Sequence, residues 1–122
     1  GLEQFVRDAR IAMIYEGTNG IHARTTATRS LTMNGGAGID AFVAYLRESG
    51  GTTLDEAAEQ WEIDARRIAG SNDPAAEAHR FMEQTCRLAY RAAWARIDEV
   101  ADAAPDPSRM RRLTTLVEDY CT

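Results

Sequence analysis

Residues 54–68 read LDEAAEQWEIDARRI, and their spacing decides the fold class. Leu54, Ala57, Ala58, Trp61, Ala65 and Ile68 recur at helical intervals with charged residues between them, the pattern of a helix that buries one face. Thr53 with Glu56 matches a capping box and is expected to open this helix. Upstream, Ile39, Phe42, Val43 and Leu46 keep the same period between Asn34-Gly35-Gly36 and Gly50-Gly51, which predicts a second helix bounded by glycine.

Downstream, Asp73-Pro74 reads as an N-cap followed by proline at the first helical position. It is expected to open a long Ala-rich helix reaching about Ala103, with a stripe of Met82, Ala89, Ala93, Ile97 and Val100. Pro105 stops it, and Asp106-Pro107 repeats the start signal for a last helix carrying Met110, Leu113, Leu116, Val117 and Tyr120. No strand pattern competes, and neither an internal repeat nor a low-complexity segment is present. Apolar faces need cover and the connections are short, so the expected fold class is all-α, an antiparallel helical bundle of five or six helices.

At 122 residues, 44% of them hydrophobic and 27% charged, the chain has the material for one packed core. Its net charge of -5, with no basic stripe, argues against nucleic acid as a partner. All 14 basic residues are arginine. Cys86 and Cys121 stand in no metal-ligand spacing, so two reduced thiols are expected and no metal. No apolar run is long enough for a membrane span and the first residues do not resemble a secretion signal, from which a cytoplasmic location is expected.

Residues 7–21, RDARIAMIYEGTNGI, read differently. A helix expected around Arg7 to Ile11 gives way to Tyr15-Glu16-Gly17-Thr18-Asn19-Gly20, where Gly17 and Gly20 permit backbone conformations closed to other residues. Glu16, beside Ile14 and Tyr15, is a candidate general base, because a carboxylate at an apolar lip holds its proton more tightly. On spacing alone the signal is weak, because a Glu before a Gly-containing turn is usually a solvated helix end. Thr18 and Asn19 serve to cap the next helix, and a helix start is also where an anionic cofactor binds.

The contiguous run RDARIAMIYEGT, residues 7–18, resembles the motif that carries the catalytic glutamate of the acyl-CoA dehydrogenase family: Arg-Asp-Ala, a short apolar run, then Tyr-Glu-Gly-Thr. Arg29, Leu31 and Met33-Asn34-Gly35-Gly36 resemble its continuation in the larger bacterial branch, whose members add a helical extension. The resemblance implies that residues 1–36 end the family's C-terminal helical domain and that residues 37–122 are that extension. It also implies that Glu16 takes the α-proton of an acyl-CoA thioester while FAD accepts the β-hydrogen as hydride. The backbone N–H of Glu16 and a flavin ribityl hydroxyl would hold the thioester oxygen.

By the same resemblance Tyr15 lines the acyl-thioester pocket, and Gly17, Thr18 and Asn19 approach the flavin. The implied partners are an acyl-CoA substrate, an electron-transfer flavoprotein or similar acceptor, further copies of the enzyme, and the family's N-terminal and β-domains. Without those domains this chain is expected to be inactive. His22 stands where the family often has glutamine, and Arg24-Thr25-Thr26-Ala27-Thr28 replaces a more apolar stretch. A different reading makes the region after Gly38 a non-catalytic helical module for subunit packing or for covering an active site.

Overall fold

In the computed structural model, which describes residues 3, 4, 7 and 19–121 apart from the side chains of 53 and 117–121, every regular element among the described residues is helical. The elements are α1 (Asn19–Thr25), α2 (Ala37–Gly50), α3 (Thr52–Ala69), α4 (Ala78–Glu99) and α5 (Pro107–Cys121). A π-turn (Thr26–Ser30) and a 3-10 turn (Met33–Gly36) follow α1, and another 3-10 turn (Ala101–Ala103) precedes α5. The all-α helical bundle expected from periodicity is the observed fold. No described helix is long and apolar enough to cross a membrane.

The long helix α4 is the axis of the bundle, packing against α1, α2, α3 and α5. Leu54, Ala58, Trp61, Ala65 and Ile68 are buried on α3, as the period requires, and meet Ile39, Val43 and Leu46 of α2 and Phe81, Leu88 and Ala92 of α4. Ala23, Ala27 and Leu31 belong to the same cluster, so the core runs across residue 36 without a break. Each fully buried Leu or Ile side chain contributes about 1.5–3 kcal/mol of transfer free energy. The turn into α2 uses three consecutive left-handed residues, Asn34 (φ 51°), Gly35 (φ 69°) and Gly36 (φ 90°), which is why two glycines stand there.

Several boundaries and faces differ from the sequence reading. Helix α3 opens at Thr52 after Gly51, so Thr53 is the second helical residue and not a flanking cap. The long helix begins at Ala78, not at Pro74: residues 73–78 form successive turns, with Ala76 N–H donating to Asp73 O and Ala78 N–H to Ala75 O. Arg67 of α3 grips Glu77 at the end of those turns at 2.5 and 2.8 Å, which ties the helix start to α3. The floor of α4 is Ala78, Phe81, Leu88 and Ala92, while Met82, Ala89, Ala93 and Ile97 are its flanks and Val100 is 62% exposed. A helix surrounded on several sides has no single narrow stripe, and the broad apolar pattern misplaces its centre.

Helix α5 departs furthest from expectation. Leu116 is 62% exposed, whereas Thr114 is buried and donates its hydroxyl to Asp98 Oδ1 at 2.8 Å. Arg111 forks onto Asp102 at 2.9 and 2.6 Å on the surface, Leu113 and Leu116 are exposed, Met110 is half-buried, and the side chains of Val117 and Tyr120 lie outside the described ones. The start signal itself is as predicted: Asp106 Oδ1 accepts from Arg109 N–H at 3.0 Å and from Ser108 Oγ at 2.9 Å, with Pro107 in first place.

These contacts carry a pH dependence. Arg111 holds the Asp102 carboxyl below its usual range, and the Arg109 N–H with the Ser108 hydroxyl does the same for Asp106. Carboxyls with lowered folded pKa values bind fewer protons folded than unfolded, so their stabilisation is present above the ordinary carboxylate range and is lost as pH falls through it. Exposed pairs contribute little each. Acidification from pH 7 to pH 3 is therefore expected to lower amide protection factors, the intrinsic pH dependence of exchange divided out, in α5 before α2 and α3. Protection falling uniformly along the chain would contradict this.

One buried hydroxyl works against the fold. Ser49, fully buried near the end of α2, has an Oγ with no hydrogen-bond partner among the described residues. An unsatisfied buried polar group costs about 1–3 kcal/mol, and alanine removes it with almost no change in volume. Ser49→Ala is expected to raise stability by about 1 kcal/mol in urea denaturation. A lowered midpoint would show that the hydroxyl is satisfied.

Candidate functional site

Of the residues read from the sequence as the site, Tyr15, Glu16, Gly17 and Thr18 lie outside the described residues, as do residues 8–11 of the helix expected before them. Asn19 is described: it opens α1, three residues after Glu16, and is exposed. The local chain explains how that end is anchored. Ala23, Ala27 and Leu31 stand four residues apart, and all three are buried. They set α1 on α4, and the π-turn on α3 and α4.

The widened turn keeps this face in register. Leu31 N–H donates to Thr26 O at 3.2 Å, five residues back, while the Thr28 hydroxyl donates to Arg24 O at 2.8 Å. Thr28 and Thr32 have a local job, returning their hydroxyls to the backbone carbonyls of Arg24 and Arg29. Their methyl groups are not needed for the core, which the two alanines and Leu31 supply.

Around Asn19 the surface is open. Gly20, Ile21 and His22 are exposed, Ile21 at 62%, and a Cβ added at Gly20 would meet no atom within 4 Å. His79, on α4, is exposed and lies 3.9 Å from Glu83, a surface pair.

Periodicity did not bring out a second feature, a cleft of about 590 Å³ between α3 and α4. Gln60 and Asp64 form one wall, and Arg80, Glu83, Gln84, Arg87 and Arg91 the other, above buried Leu88. The signal was present as arginines seven and four residues apart, which share a helix face. Next to the cleft, Arg67 bridges Asp64 at 3.2 Å and Glu77, and holds the Glu77 carboxyl below its usual range. On the opposite flank of α3, Arg66 joins Glu62 to Asp40 of α2 at 2.6 Å, and these hydrogen bonds raise its own pKa.

No protein family, curated protein or solved structure matches this chain.

Proposed function

We propose that this chain is the C-terminal part of a flavin-dependent acyl-CoA dehydrogenase, with Glu16 as its α-proton base. One observation carries the reading: residues 7–18 hold Arg-Asp-Ala, an apolar run and Tyr-Glu-Gly-Thr without interruption, as in that family's catalytic segment. The bundle supports it. Three residues after the carboxylate the chain enters a helix anchored by Ala23, Ala27 and Leu31. The exposed backbone at Asn19 and Gly20 leaves the approach that a cofactor needs.

In this reading the Glu16 carboxylate takes the proton from the carbon next to the thioester, and the electron pair of that C–H bond becomes the new double bond of a trans-2-enoyl-CoA. FAD, when bound, supplies the acceptor for the hydride that leaves the β-carbon. The α-proton is weakly acidic, so the Glu16 N–H donates to the thioester oxygen as charge develops there. Tyr15 flanks the thioester, and Gly17, Thr18 and Asn19 lie toward the flavin. An electron-transfer flavoprotein or similar acceptor takes the electrons onward. The enzyme works in the cytoplasm as a homo-oligomer, and this segment alone is inactive.

The test uses the polypeptide that carries this sequence together with the residues encoded before Gly1. It is expected to purify yellow and to reduce a redox dye with one or more members of an acyl-CoA panel. A colourless protein, or a yellow one that no acyl-CoA reduces, would sink the proposal.

A further inference from the structure

The cleft between α3 and α4 is lined by three arginines, Arg80, Arg87 and Arg91, and by two carboxylates, Asp64 and Glu83. Asp64 is engaged by Arg67 at 3.2 Å and by the Gln60 amide at 3.5 Å, so Glu83, 3.9 Å from His79, is the carboxylate of the lining that no described arginine pairs. Arg87 and Arg91 make no ion pair or side-chain hydrogen bond with any described residue. Arg80 adds to the field that lowers Glu77, a carboxylate already held in the Arg67 fork, and makes no ion pair with a described residue. Like charges one helical turn apart disfavour a helix, yet α4 carries Arg87 and Arg91 on the same side of the cleft. An anion placed between them removes that repulsion.

Dimensions and lining narrow the class of anion. At about 1.5 Å per residue, Arg87 and Arg91 are about 6 Å apart along the axis and Arg80 lies about 10 Å further on, so the cleft addresses more than one anionic group. Guanidinium groups bind phosphate through paired N–H bonds, and the amides of Gln60 and Gln84 add neutral donors. The volume of about 590 Å³ is that of a small-molecule site. The lining contains no aromatic ring on which a base could stack, and its one apolar member, Leu88, is buried. It therefore offers no anchor for a protein partner, and a chain of net charge -5 repels a long polyanion.

We infer that this cleft binds a small polyanion bearing two or more phosphate groups, with Arg87 and Arg91 sharing one phosphate and Arg80 reaching another. Tripolyphosphate is the probe, titrated at low ionic strength by calorimetry and by thermal melting, with orthophosphate and citrate beside it. Tripolyphosphate is expected to bind at one site, at least tenfold more tightly than orthophosphate or citrate, and to raise the melting temperature. The double variant Arg87→Gln, Arg91→Gln should weaken binding at least tenfold without lowering the melting temperature of the free protein. Arg87→Lys with Arg91→Lys should fall between, because charge remains but the paired geometry is lost. Arg109→Gln with Arg112→Gln, on α5, should bind as the parent does. Absence of saturable binding, equal binding by the glutamine variant, equal weakening by the α5 variant, or citrate binding as tightly as tripolyphosphate would each overturn the assignment.

Discussion

On the dehydrogenase reading, Glu16→Gln in the longer polypeptide that carries this sequence is expected to lower acyl-CoA-dependent dye reduction by about 10²–10⁴-fold, the contribution typical of a positioned general base. Glutamine keeps the length and shape of the side chain and leaves the backbone N–H untouched, so the donor to the thioester oxygen survives. What disappears is a group able to take the proton. The loss should therefore fall on kcat, with KM within a few-fold of the parent and the flavin absorbance unchanged. Glu16→Asp retains a base but withdraws it by one methylene, and should fall between the two. Turnover by Glu16→Gln within twofold of the parent would remove Glu16 from the role. A loss of yellow colour in the variant would instead assign Glu16 to holding the flavin.

The fold and the candidate site were legible in the sequence for different reasons. A helix with one buried face writes its period directly into the chain, and α3 is such a helix: Leu54, Ala58, Trp61, Ala65 and Ile68 are all buried. Helix α4 packs on several neighbours, so its apolar residues spread around the surface and the chain does not mark that Phe81 and Leu88 form the floor. Helix α5 misleads for another reason. Among the described side chains its contacts are the half-buried Thr114–Asp98 bond and the exposed Arg111–Asp102 fork, pairs that meet only after folding and carry no periodic signal. The late start of α4 likewise depends on Arg67 reaching Glu77, two residues that no local rule connects. The candidate site was legible only as a motif, and Asn19 is the one member within the described residues. The buried alanines that anchor its helix looked like ordinary composition.

Trp61→Ala is expected to be the most damaging single exchange in the described core. The indole stands between two rings, with centroids 4.6 Å from Phe42 of α2 and 5.3 Å from Phe81 of α4, so one side chain couples three helices. Its Nε1–H donates to Thr85 Oγ1 at 2.8 Å, and the Thr85 hydroxyl in turn donates to Phe81 O at 2.8 Å. Truncating a buried Trp costs about 3–5 kcal/mol, from lost transfer free energy and the cavity left behind. A small domain has about 5–15 kcal/mol in total, so the variant should lose a large share of its stability. Trp61→Phe keeps an aromatic ring there and loses the N–H, leaving Thr85 with an unused acceptor but its donor still engaged; about 1 kcal/mol is expected for that hydrogen bond, in addition to the smaller ring's lost contacts. Thr85→Val strands the Trp61 N–H in a buried site and should cost about 1–3 kcal/mol. Combined with Trp61→Phe it should cost less than the sum, because the two exchanges remove the same bond. Urea denaturation followed by far-ultraviolet circular dichroism measures all four. A loss below about 1 kcal/mol for Trp61→Ala would mean that the three rings do not form the centre of this core, and strict additivity in the double variant would mean that the Trp61–Thr85 bond is not made in solution.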